Sequence, residues 1–147
     1  MADNIYLMER AIAATEFVSK GVQEKIVVVL DFGSFKASLS PPMSAVKAIA
    51  SILQTKYSER LKGMIIIDPP LWMRTAYGVI KPFLDPTTKA KFLIASGDKK
   101  KLEAVSGYVE PAQAMPWLLP SGKLGTEVDL EHFLKTVPFH CLYDYES

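Results

Sequence analysis

"GMIIIDPPLWMRTAYGVIKPFLDPTTKAKFLIAS", residues 63–96, decides the fold. Two uninterrupted apolar runs, MIII (64–67) and FLIA (92–95), flank a stretch with helical spacing. A strand covered on both faces reads as such a run, whereas a half-buried strand alternates. The same signature occurs upstream in KIVVVLDF (25–32). Between that run and the next, Val46, Ile49, Leu53 and Tyr57 recur at steps of three and four, behind a proline, Pro42, suited to a helix's first turn. Buried strands alternating with helices predict an α/β fold: a parallel sheet, mixed at its edge, with crossover helices.

The remaining segments fit that frame. Residues 5–19 place Leu7, Ala11, Ala14 and Val18 on one helical stripe, ended by Gly21. DKKKLEAV (98–105) predicts a helix with Asp98 as its cap, and 131–137 a short one. No repeat or low-complexity linker divides the chain, so one domain over 1–147 is expected.

Composition narrows the function classes. Of 147 residues, 49% are apolar and 22% charged, which predicts a globular domain. A net charge of +1 gives no footprint for nucleic acid. The lone basic run, Lys99-Lys100-Lys101, reads as a solvated helix start or a membrane-surface contact. One cysteine, Cys141, excludes an internal disulfide and a cysteine zinc cage, and fits a reducing compartment. With neither a signal-peptide pattern nor a run near the ~20 residues of a membrane span, the protein is expected to be soluble and cytoplasmic.

Residues 71–84 carry more apolar surface than a crossover helix needs. Trp72, Ala76, Val79 and Phe83 form one stripe, and Met73, Tyr77, Ile80 and Leu84 the next. Pro82 offers no N–H to the Gly78 carbonyl, which weakens the helix there. Two readings are open: a kinked core helix, or a hinged lid over an apolar cavity.

Catalysis has little support. Asp31, Asp68, Ser96 and Asp98 follow strand ends, where turn and cap formation is their commonest work. No GxGxxG follows a strand, and SGKLGT (121–126) lacks a phosphate-binding loop's length. His132 and His140 have no nucleophile to activate, since Cys141 adjoins His140 on the chain. A non-enzyme without metal or cofactor is expected.

Residues 55–96, from TKYSERLKG to KFLIAS, resemble the CRAL-TRIO lipid-binding domain of phosphatidylinositol/phosphatidylcholine transfer proteins and tocopherol- and retinal-binding proteins. The matching elements are Asp31-Phe32-Gly33, the YSERL of 57–61, the apolar strand ending in Pro69-Pro70, KPFLDPTT (81–88) and Lys91. A looser echo is Leu119-Pro120 followed by Gly122-Lys123-Leu124-Gly125, so the resemblance covers about residues 25–125.

The resemblance implies a partial lobe with an apolar cavity under a gate helix. Trp72, Ala76, Tyr77, Gly78, Val79, Ile80, Pro82 and Phe83 would form the gate and cavity wall. By position it also implies a phosphatidylinositol headgroup site at Glu59, Thr88 and Lys91. A lysine and a hydroxyl suit phosphate, and a carboxylate suits inositol hydroxyls. Where the phosphatidylcholine branch carries hydroxyl residues, this chain has Ile26 and Val28, which cannot hydrogen-bond a phosphate. The implied protein is a non-catalytic lipid-binding or lipid-transfer module that meets membranes transiently. The alternative is a protein-interaction module of a larger signalling protein. Members of the family carry further elements before this point, so an N-terminally truncated lobe, or else an unusually short member, is expected. Its uncovered edges predict a homo-oligomer.

Overall fold

The three apolar runs become strands β1 (Ile26–Asp31), β2 (Leu61–Ile67) and β3 (Phe92–Ala95) in the computed structural model, which describes residues 2–125 and 129–136. They form one sheet in the order β1–β2–β3. β2 and β3 run parallel, with Met64 opposite Phe92 and Ile67 opposite Ala95. The Phe32 amide continues the β1 side by donating to the Ile67 carbonyl at 3.0 Å. Helices α2 (Met43–Lys56) and α3 (Leu71–Ile80) lie in the crossovers, and α5 (Asp98–Ser106) follows β3.

Side chains alternate across the sheet, and both faces are covered, which is why the strands read as unbroken apolar runs. Ile65 and Ile67 are buried with Val105 of α5 and with Ala114 and Leu119 of the segment beyond it. The opposite face presents Leu30, Met64, Ile66 and Phe92 to α2 and α3. Gly63 permits close packing on β2: a Cβ there would lie 2.7 Å from the Tyr108 ring.

The chain divides into two units, one of Val27–Thr126 and one of Met1–Ile26 with Glu127–Ser147. In the latter, α1 (Ala2–Ser19) and α6 (Leu130–Thr136) are joined where Arg10 Nη2 donates to the Leu134 carbonyl at 2.7 Å. α1 buries Arg10 and Ala13, while Leu7 and Val18 of the expected inward stripe are exposed. That arginine contact sets a face of α1 that apolar periodicity alone does not reveal. Lys20 and Gly21, both at positive φ, end α1, with the Gly21 amide donating to the Glu16 carbonyl at 2.8 Å. Cys141, His140 and Val137 lie outside the described residues.

Two boundaries and one added helix differ from the sequence reading. The helix expected to reach Leu84 stops at Ile80 and tightens into a 3-10 turn over Lys81–Phe83, so Pro82 falls at its end. A five-residue helix, α4 (Pro86–Ala90), follows, with the Asp85 carboxylate accepting from the Thr88 amide at 2.8 Å. Gly97, at φ 79°, caps α5, and Asp98 is its first helical residue, where a carboxylate suits the helix dipole.

Candidate functional site

On the α2/α3 side the sheet does not meet the helices at full packing density. A chamber of about 100 Å³ remains, floored by Leu30, Met64, Ile66 and Phe92. Val46, Ile49, Ala50 and Leu53 of α2 form one wall, and Met73, Tyr77 and Ile80 of α3, with Leu84, form the other. The helices supply these walls because their apolar residues recur at three and four. The Tyr77 ring stacks on Phe92 with centroids 5.7 Å apart at 27°, and the Lys81 ammonium lies 5.9 Å from the same ring. Burial holds the Tyr77 hydroxyl above its usual pKa.

A second space, a groove of about 300 Å³, runs between α2 and the end of α3. Lys47, Ser51, Gln54 and Thr55 give it a polar side, and Phe83 an apolar one. Ala50, Ile80 and Leu84 line both spaces, so groove and chamber adjoin. Such an arrangement can take up a short apolar chain with a polar end outside.

Of the residues expected to form gate and cavity, Tyr77 and Ile80 line the chamber, and Phe83 lines the groove. Ala76 is fully buried. Trp72 packs against the Phe32 and Phe35 rings, with centroids 6.1 and 5.8 Å away, and its buried indole N–H has no acceptor. Gly78, Val79 and Pro82 face outward, and a Cβ on Gly78 would meet nothing within 4 Å. The α2 wall was not assigned to a cavity from sequence. Its signal, the spacing of Val46, Ile49 and Leu53, identifies a buried face but not the gap beneath it.

The expected headgroup residues share one end of the sheet. Glu59 is exposed in the turn that enters β2, where the Arg60 and Leu61 amides donate to the Tyr57 carbonyl at 3.0 and 2.9 Å. The Lys91 ammonium reaches that turn and donates to the Ser58 carbonyl. Lys91 is thereby brought next to Glu59 along the chain, through a backbone acceptor rather than the carboxylate. Thr88 lies inside, only 1% exposed, and its hydroxyl completes no hydrogen bond. Hydrogen bonding from Thr88, whose amide donates to Oδ1, holds the Asp85 carboxyl below its usual pKa.

At the other end of the strands, carboxylates organise backbone. Asp31 Oδ1 accepts from the Gly33 amide at 2.9 Å, and Asp68 Oδ1 from the Gly97 amide at 3.0 Å. Arg74 donates to the Ser96 hydroxyl at 2.5 Å and to the Pro69 carbonyl at 3.2 Å. Among the described residues no group of three or more His, Cys, Asp or Glu could hold a metal ion. No described helix is long and apolar enough to cross a membrane.

Comparison with known proteins matches residues 4–115 to the CRAL/TRIO domain. A phosphatidylinositol transfer protein of Saccharomyces cerevisiae is 33% identical over 114 residues, covering 74% of this chain and 29% of that protein. Patellin-3 of Arabidopsis thaliana is 31% identical over 109 residues, covering 74% of this chain and 22% of that protein. The chain thus spans less than a third of the length of these curated relatives. Among solved structures, the crystal structure of Sfh5 superposes with a TM-score of 0.54 at 19% identity, over 88% of this chain and 48% of that one, a likeness of fold.

Proposed function

This chain belongs to the CRAL/TRIO domain family, and from that premise we propose that it is a non-catalytic lipid-binding module with phosphatidylinositol as its favoured ligand. The observation that carries the reading is the chamber: an apolar space between sheet and helices that shares Ala50, Ile80 and Leu84 with an outer groove. Each methylene moved from water into such a space gains about 0.8 kcal/mol, so a few carbons of an acyl chain give useful affinity. Outward movement of α3 and its 3-10 end enlarges the chamber toward the groove, which is the gate reading of this helix.

Lys91, Glu59 and Thr88 are the proposed headgroup residues. Lys91 supplies positive charge beside the turn that carries Glu59. Thr88 takes part only if α4 shifts to uncover its hydroxyl.

Mass spectrometry of lipid extracted from the purified chain tests the reading, together with displacement of a fluorescent fatty acid. Phosphatidylinositol should displace the probe at lower concentration than phosphatidylcholine. No retained lipid and no probe uptake would exclude the chamber as a lipid site. That result would favour the second reading, a protein-interaction module, which the outward apolar residues Leu71 and Phe83, 79% and 77% exposed, support.

A further inference from the structure

The groove between α2 and the end of α3 has a polarity that the chamber lacks. Lys47, Ser51, Gln54 and Thr55 lie along one stripe of α2, about 12 Å from first to last at 1.5 Å per residue. Ile80, Phe83 and Leu84 face them with apolar side chains. The Thr55 hydroxyl is committed to its own helix, donating to the Ser51 carbonyl at 2.8 Å. The donors offered to the groove are then the Lys47 ammonium, the Ser51 hydroxyl and the Gln54 carboxamide. Lys47 stands exposed, and Gln54 is half-buried.

Both walls come from stretches of chain without negative charge. Residues 32–58, which include α2, contain three lysines and no Asp or Glu. Residues 69–84, which include α3 and its 3-10 end, contain Arg74 and Lys81 and no Asp or Glu. The acids that bound these stretches lie outside the groove lining. Of these, Asp85 accepts from the Thr88 amide at 2.8 Å, and Glu59 sits in the turn that enters β2. A groove bordered by one sign of charge favours ligands of the other.

We infer that the groove holds the acid group of a single-chain anionic amphiphile, with Lys47 as its counter-charge. Its chain passes Ala50, Ile80 and Leu84, which line both spaces, and ends in the apolar chamber. Ser51 and Gln54 donate to the acid oxygens that Lys47 leaves free. Groove and chamber, about 300 and 100 Å³, lie at the small end of ligand sites, which suits one chain rather than two while α3 stays in place. This site rests on the lipid-binding reading of the chamber, yet it uses none of Glu59, Thr88 and Lys91.

Equilibrium dialysis of the 147-residue chain with decanoate and with decanol, at neutral pH and below micelle formation, tests it. Decanoate should bind roughly tenfold more tightly than decanol, and salt should narrow the difference. Lys47→Ala, on an exposed helix position where Ala is well tolerated, should remove that advantage and leave decanol unchanged. Lys47→Arg should keep it. Lys56→Ala, on the same helix but outside the groove lining, and Lys91→Ala should both bind decanoate as wild type does. Decyl phosphate in place of decanoate separates a phosphate from a carboxylate, and either acid should depend on Lys47. The inference alone is overturned if decanol binds as tightly as decanoate, if Lys47→Ala matches wild type, or if decanoate depends on Lys91 instead. Binding of neither compound would overturn it together with the chamber as a lipid site.

Discussion

Tyr77 and Phe92 lie nearly face to face, 5.7 Å between centroids, and through this pair α3 is held against the first residue of β3. Replacing Tyr77 with Ala removes the stack and widens the chamber. The expected loss is about 2–3 kcal/mol in urea unfolding. Fatty-acid uptake should be retained, because the space grows rather than fills.

The same residue predicts a pH dependence. Burial raises the Tyr77 pKa above the ordinary 10.0, so between the unfolded and folded values the native state binds the extra proton. Its contribution is complete below the unfolded value and is lost as pH rises through the folded one. Tyr77→Phe should therefore flatten the decline in stability above pH 10, measured as the difference from wild type in chemical denaturation.

Asp85 acts at the acid end. Its pKa is lowered by hydrogen bonding from Thr88, so its contribution is present above the ordinary 3.8 and lost as pH falls through the folded value. Asn caps helices about as well as Asp but does not titrate. Asp85→Asn should match wild type near neutrality and lose less stability on acidification. An unchanged acid limb would show that the cap carries no such linkage.

Two glycines should respond in opposite directions. Gly78 sits in α3 with open space around it, so Gly78→Ala should stabilise by about 0.5–1 kcal/mol. If α3 moves as a gate, lipid exchange followed by stopped-flow fluorescence should slow more than equilibrium affinity changes. Gly63→Ala places a methyl against the Tyr108 ring and should destabilise by about 1–3 kcal/mol.

Lys91→Ala tests the proposed headgroup site. Loss of a charge-assisted contact of about 1.5–3 kcal/mol corresponds to roughly ten- to a hundredfold weaker phosphatidylinositol displacement of the probe. Uptake of an uncharged apolar ligand should be nearly unchanged. Equal loss for both ligands would give Lys91 a structural role through Ser58.

The sheet and its crossovers were legible because burial on both faces erases alternation from strands such as IVVVL (26–30) and MIII (64–67). The end of α3 was harder to place, since Lys81-Pro82-Phe83 keeps the apolar spacing while Pro82 ends the hydrogen-bond ladder. α4 has five residues and no periodicity, so only its Asp85-Pro86 start could announce it. The family resemblance implied a headgroup site by position, but burial of Thr88 depends on how α4 packs, which spacing does not encode. The chamber is an absence of atoms between two well-read faces, and a sequence carries no direct sign of a gap.

The bond from Lys91 to the Ser58 carbonyl gives the ammonium a heading. Of its three hydrogens, one is committed to that carbonyl and two are left to solvent or to an anion. A lysine on a free stem spreads its charge over a broad arc, whereas one pinned at a single hydrogen favours approach from a restricted sector. At the proposed headgroup site, discrimination would then depend on the angle at which a phosphate arrives as well as on its charge.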